Sequence, residues 1–132
     1  MRVYPDGKAT SITIFKYYYY EPILYMQTQK EGGNKFRAKI FYALSDPLRL
    51  DIIDFLREEE KCVCEIIPYL GIPQPVVSRH LKILKDSGLV KDRKDGTKRF
   101  YTLTDKRIVN VVDSVSPELV KDLSKHIIEQ II

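Results

Sequence analysis

One tight break constrains this chain more than any other feature. Gly71-Ile72-Pro73 separates two short stretches of helical periodicity. The stretch before it, about Glu65–Leu70, is too short to bury itself, and Gly71 suits the left-handed position just past a helix end. The stretch after it runs from about Pro73 to Ser87 and carries Val77, Leu81 and Leu84 on one face, with Gly88 as its stop. Proline is tolerated in its first turn, where the amides have no intrahelical partner. Two short helices joined by a tight glycine-containing turn form a helix-turn-helix. A hairpin follows at once: Val90–Arg93 and Thr97–Leu103 flank Asp95-Gly96, a strong two-residue turn signal. A basic hairpin in that place is a wing, here about Val90–Leu103. The expected fold class is therefore mainly α with a small β-hairpin, a winged helix-turn-helix.

Elements upstream and downstream are legible from the same signals. From Lys35, the residues Phe36, Ile40, Phe41 and Leu44 fall on one helical face, and that helix stops near Ser45. Asp46-Pro47 opens another, since Asp can cap and Pro fits the first helical position. Its stripe is read as Leu48, Ile52, Phe55 and Leu56, and Glu58-Glu59-Glu60 ends it in solvent. Lys61–Cys64 reads as a very short strand. Two C-terminal helices, about Asp105–Ser114 and Pro117–Ile131, carry Ile108, Val111, Val112, Leu119, Leu123, Ile127 and Ile131. That is more apolar surface than a small domain can cover alone, and it points to a homodimer.

Residues 1–33 differ in character from the domain expected over 34–132. A tyrosine run, Tyr17–Tyr20, lies among Ile12, Ile14, Phe15, Ile23 and Leu24, a composition that favours extended structure. This extension is either a β-forming arm or sequence upstream of a start at Met26. It carries no basic cluster, so residues 1–25 are expected to be dispensable. A chain beginning at Met26 should bind DNA as the full chain does, and a shorter chain that fails to dimerise or bind would show the arm to be structural.

Charge distribution narrows the partner class without deciding it alone. Between Arg79 and Arg107 there are ten basic residues and four acids, so this stretch carries +6 of a chain whose net charge is +4, and the remainder is −2. A basic segment on a slightly acidic body suggests a polyanion partner, although a solvated lysine-rich surface would carry the same charge; the order of helix-turn-helix and basic hairpin makes double-stranded DNA the expected partner. On the recognition helix Gln74, Ser78, Arg79 and Lys82 lie opposite the apolar stripe. Gln suits adenine, Arg suits guanine, and Ser suits a base or a phosphate. On the wing Lys91, Arg93, Lys94, Lys98 and Arg99 can neutralise phosphates and set register. His80 either faces DNA or sits satisfied against the core, and both readings stay open. No apolar run has the roughly 20 residues of a membrane helix, and no secretory signal precedes the domain. A cytoplasmic protein with no membrane contact is expected. No glycine-rich phosphate loop, nucleophile elbow or paired catalytic cluster is present, so no enzyme activity is expected.

These residues resemble a known family. Leu44-Ser45-Asp46-Pro47-Leu48-Arg49-Leu50, Cys62-Val63-Cys64-Glu65, and Gln74-Pro75-Val76-Val77-Ser78-Arg79-His80-Leu81-Lys82-Ile83-Leu84 with Ser87-Gly88-Leu89-Val90 are similar to segments of the arsenical-resistance (ArsR/SmtB) repressors. The wing end, Arg99-Phe100-Tyr101-Thr102-Leu103, fits as well, and the likeness covers about Phe36–Val112. It implies a homodimeric winged-helix repressor that needs no cofactor and leaves its operator when an inducer binds.

By the same resemblance, Cys62 and Cys64 are the metal-ligating candidates, and As(III) is the favoured inducer, with Cd or Pb as other thiophilic ions. The family's third cysteine falls at Ile67 here, which leaves two protein thiols. Zinc-type ligands are interrupted too: Lys106 and Arg107 stand where histidine is needed. His126 and Glu129 have ligand-like spacing, but Val115 replaces the first histidine of that pattern and Pro117 interrupts the helix, so the pair reads as two solvated side chains on a helix.

In a strand, residues i and i+2 share a face, and in a helix they diverge. Cys62 and Cys64 are therefore expected to converge only if the chain is extended there. Spacing alone favours two small buried hydrophobes; the family motif favours a switch. An oxidative switch is a third reading, with intersubunit or mixed disulfides expected ahead of a bridge between neighbours two residues apart. A constitutive winged-helix protein with inert cysteines is the remaining alternative.

Overall fold

The computed structural model describes residues 33–132. The chain divides into two compact units, Met1–Lys39 and Ile40–Ile132. Of the first, only the start of a helix is described, and the extension expected over residues 1–33 lies, all but Gly33, outside the described residues.

Six helices and three strands follow one another in the described residues. They are α1 (Gly33–Leu44), α2 (Pro47–Phe55), β1 (Lys61–Cys62), α3 (Val63–Leu70), α4 (Gln74–Asp86), β2 (Val90–Asp95), β3 (Lys98–Leu103), α5 (Arg107–Asp113) and α6 (Pro117–Ile131). Helix α2 begins as its sequence signal requires. The Asp46 carboxylate accepts the amides of Leu48 and Arg49, and Pro47 occupies the first turn. Helix α3 ends on Gly71 at φ 65°, whose amide returns to the carbonyl of Ile67 at 2.9 Å. This left-handed residue makes the sharp turn into α4.

The core of the second unit is Ala43, Leu44, Ile52, Ile53, Leu56, Ile66, Val77, Leu81, Leu84, Leu89, Val90, Leu103 and Val109. The stripe of α4, Val77, Leu81 and Leu84, is buried as its periodicity requires. Two other stripes are rotated from expectation. On α1, Ala43 and Leu44 are buried, while Phe41 is 59% exposed. On α2 the inward line is Arg49, Ile52, Ile53 and Leu56, an i, i+3, i+4, i+7 set, while Leu48 and Phe55 are only half-buried.

The sheet has one more strand than the hairpin, in the order β1-β3-β2, all antiparallel. Lys61 pairs with Tyr101 and Cys62 with Phe100, so the segment ahead of the helix-turn-helix is fastened to the wing. The hairpin turn falls one residue later than Asp95-Gly96. Asp95 pairs with Lys98, leaving Gly96-Thr97 as the loop. Gly96 has φ 62° and no non-glycine residue described has positive φ, which fits the turn with glycine at its first central position. No helix in the described residues is long and apolar enough to cross a membrane.

Candidate nucleic-acid interface and thiol pair

Helix α4 presents the polar face that a groove-reading helix needs. Gln74, Ser78, Arg79 and Lys82 are all exposed, opposite the buried stripe. Lys82 pairs with Asp86 at 2.9 Å across an exposed i,i+4 step, an interaction weak enough to exchange for a phosphate. His80 behaves differently. Its side chain is 12% exposed, with Nδ1 3.2 Å from an Arg49 guanidinium nitrogen and 3.9 Å from Asp46 Oδ1. Arginine has no acceptor, so it donates and Nδ1 is the acceptor of that bond. Of the two readings for His80, the geometry matches the one satisfied against the domain.

Arg49 is the group that the sequence reading left out. It is 6% exposed, and its Nε donates to the carbonyl of Ala43 at 2.6 Å and another nitrogen to that of Tyr42 at 3.1 Å. With the bond to His80, one guanidinium ties the last turn of α1 and the first turn of α2 to the middle of α4. The available signal was a charged residue at the first position of the stripe Arg49-Ile52-Ile53-Leu56, since arginine is rarely fully buried unless paired.

The wing cations fall into two groups. Arg93 is held by Glu60 through contacts of 2.9 and 2.5 Å and lies over the Phe100 ring at 4.5 Å. Arg99 pairs with Asp92, which also accepts from Lys85 of α4 at 2.9 Å. Lys91, Lys94 and Lys98, like Arg79 on α4, are exposed and pair with no carboxylate among the described residues. Arg93 and Arg99, by contrast, are engaged by Glu60 and Asp92 and brace the wing.

Asp92 has a side chain only 9% exposed and fixes the wing against α4. Hydrogen bonds from Lys85 and then Arg99 hold its carboxyl below the usual carboxylate range. Asp92→Asn is expected to cost about 1–2 kcal/mol of stability, the order of a charge-assisted hydrogen bond. A carboxyl depressed in the fold stabilises above its unfolded pKa of about 4 and loses that contribution as pH falls through the lower folded value. Melting curves of the two proteins should therefore differ at neutral pH and converge in acid. A gap unchanged down to pH 2 would mean that the carboxylate charge is not what holds the wing.

Cys62 and Cys64 meet at the join of β1 and α3. Cys62 is extended, at φ −69° and ψ 147°, and is the N-cap of α3. Its amide donates to Glu65 Oε2 at 2.8 Å, and its sulfur accepts the Cys64 amide at 3.1 Å, a capping box built on sulfur. The two sulfurs are paired as a disulfide within the chain, with Cα atoms 5.0 Å apart. Two expectations are corrected here. Convergence does not need an extended chain through both residues, because the turn from cap to first helical residues swings Cys64 back over Cys62. The pairing is also within one chain, in place of the intersubunit or mixed disulfides expected from spacing. Cys62 is buried, while Cys64 is exposed.

The pair opens into a cleft of about 490 Å³ whose lining includes Ile67, Gln74 and Ser78 of the helix-turn-helix and Lys98 and Arg99 of the wing. Among the described residues no three His, Cys, Asp or Glu side chains gather into a metal-binding group. His126 Nε2 lies 3.1 Å from the Gln130 amide nitrogen one turn on.

Comparison with known proteins agrees with this architecture. The profile described as bacterial regulatory protein, arsR family, matches residues 46–92. An uncharacterized HTH-type transcriptional regulator of Methanocaldococcus jannaschii is 48% identical over 79 residues, 59% of this chain and 89% of that one. The HTH-type transcriptional repressor SmtB of Mycobacterium tuberculosis is 40% identical over 57% of this chain, which spans only 56% of that repressor's length. An arsenical resistance operon repressor of Staphylococcus aureus is 36% identical over 60% of this chain and 76% of its own. In structure, the homodimeric winged helix-turn-helix DNA-binding domain Mb0332 of Mycobacterium bovis superposes with a TM-score of 0.59 at 26% identity, covering 77% of this chain and 90% of that one. With its helix-turn-helix, wing and recognition-helix sequence accounted for together, the chain belongs to the arsR family of bacterial regulatory proteins.

Proposed function

We propose that this chain is a dimeric DNA-binding transcriptional repressor, released from its operator when a thiophilic ion bridges Cys62 and Cys64. Helix α4 reads the major groove through Gln74, Ser78 and Arg79, with Lys82 and the wing lysines Lys91, Lys94 and Lys98 on phosphates. The observation that carries the inducer reading is the meeting of both sulfurs at the cap of α3, in a cleft shared with Gln74, Ser78 and Lys98. Anything seated on the sulfurs touches the surfaces that DNA must use. Pro68 weakens the start of α3 further, because it lacks the amide that would close onto the Cys64 carbonyl. A coupling of about 1–3 kcal/mol between the two ligands would shift operator affinity roughly 5–150-fold.

Arsenite is the favoured ion: soft thiolates select it, and the similar staphylococcal repressor is named for arsenical resistance. Cadmium and lead suit the same donors. The paired sulfurs favour one second reading, a thiol-redox switch in which the disulfide and the dithiol differ in operator affinity. The partner in the dimer is a second copy. Helix α6 buries none of its residues and leaves Leu119, Leu123, Ile127 and Ile131 exposed, beside Val111 and Val115. Footprinting on operator DNA with arsenite, cadmium, lead or peroxide separates the readings. Release by arsenite from the reduced protein supports the first, release by peroxide alone the second, and release by none of them would leave the cysteines without a regulatory role.

Arg79→Ala tests the groove assignment. It is expected to cost about 1–3 kcal/mol in operator binding and to relax preference at one base pair, if the guanidinium reads a base edge. A uniform loss across sequences with a shallower salt slope would make Arg79 a phosphate contact, and unchanged affinity would remove it from the interface.

A further inference from the structure

The cleft beside the thiol pair offers two sulfurs where a trivalent metalloid takes three. Among the described residues no third soft ligand lines it: Ile67 is part of the lining, and Lys98 and Arg99 make it basic. Arg99 is already engaged by Asp92, whereas the Lys98 ammonium pairs with no carboxylate among the described residues. A space of about 490 Å³ is far larger than one ion needs and is of the size that small-molecule sites occupy.

We propose that this cleft binds a low-molecular-weight thiol carrying carboxylates, whose sulfur completes a three-sulfur set on a metalloid held by Cys62 and Cys64. This rests on the reading of the two cysteines as the inducer site. The thiol acts first on the disulfide: two equivalents reduce Cys62–Cys64 to two thiols and leave as their own disulfide. Arsenous acid then condenses with the two protein thiols and one external thiol. Three As–O bonds break and three As–S bonds form. The three thiol protons leave with the hydroxides as three waters, and arsenic stays trivalent. Lys98 meets the carboxylates of the external thiol. The occupied cleft then carries negative charge between Ser78 and the wing, where a phosphate would otherwise approach.

The test uses the reduced full chain, sodium arsenite, and either mercaptosuccinate or the neutral 2-mercaptoethanol, read by native mass spectrometry and by near-ultraviolet arsenic–sulfur absorption without DNA. One arsenic and one mercaptosuccinate per chain is the expected mass. Lys98→Gln should weaken arsenite binding roughly tenfold in mercaptosuccinate, the order of one near-surface charge pair, and leave it unchanged in 2-mercaptoethanol. Comparing the two proteins in the same thiol cancels that thiol's own affinity for arsenite. The margin should also shrink as salt is raised. An arsenic adduct without a thiol, or equal binding by both proteins in both thiols, overturns the external ligand while leaving Cys62 and Cys64 as the arsenite site. Absence of any arsenic adduct overturns that site and the external ligand together.

Discussion

Arg49→Ala should be the most destabilising single change among the polar residues, at about 2–4 kcal/mol. The guanidinium is 6% exposed and makes three hydrogen bonds. Removing it leaves the Ala43 carbonyl at the end of α1 without its 2.6 Å donor, whereas the Tyr42 carbonyl keeps Ser45 as a partner. It also frees His80 on the recognition helix. For a domain near 100 residues, that loss lowers the melting temperature by roughly 10–25 °C. Operator affinity should fall as well, because Arg49 joins α1 and α2 to α4. Lysine at this position should recover only part of the loss, since one ammonium cannot span donors set in a planar fork. Thermal melts at fixed protein concentration check this, the concentration mattering because dimerisation adds to apparent stability. A melting temperature within a few degrees of wild type would mean that water replaces the guanidinium, and the clamp would not be one.

Legibility in the sequence followed the range of the interaction. Signals that act over a few residues were readable: Asp46-Pro47 opening α2, Gly71 ending α3, and the Val77-Leu81-Leu84 stripe fixing which face of α4 is exposed. Those facts alone orient Gln74, Ser78 and Arg79 outward. Pairings across the chain were not readable. Nothing near Lys61 or Cys62 shows that they pair with Tyr101 and Phe100, because a strand of two residues has no periodicity. The Arg49 clamp bridges 31 residues to His80, and its only trace is a charge on an apolar stripe. The wing cations look alike in sequence, yet Glu60 and Asp92 engage Arg93 and Arg99, while the wing lysines pair with no carboxylate among the described residues. The turn slipped by one residue because Asp95-Gly96 and Gly96-Thr97 both supply a glycine, and the pairing of Asp95 with Lys98 decides between them. The route by which the sulfurs meet was not readable for a related reason: periodicity rules treat strand and helix separately, and Cys62 and Cys64 straddle the join.

Replacing either cysteine by serine should abolish release by arsenite while leaving operator binding near wild type. Capping makes this substitution clean. Cys62 holds the first turn of α3 through its sulfur and its amide, and serine is among the preferred residues at an N-cap. Its hydroxyl oxygen can accept the Cys64 amide in place of the sulfur, and the Glu65 carboxylate still takes the backbone amide of residue 62. Cys64 is exposed, so a hydroxyl there buries nothing polar. Neither serine supplies a soft thiolate, and one remaining sulfur per chain cannot chelate. Cys62→Ala is the contrasting variant: it loses the ligand and also the cap, at about 1 kcal/mol of helix stability. The measurement is fluorescence anisotropy of labelled operator, with the reduced protein titrated by arsenite. Wild type should release DNA, and both serine variants should hold it at every arsenite concentration that leaves the protein folded. Release of either serine variant at the wild-type concentration would move the sensing site away from α3. A wild type deaf to arsenite but responsive to peroxide, with both serine variants deaf to each, would keep the cysteines as the switch and make disulfide formation its chemistry.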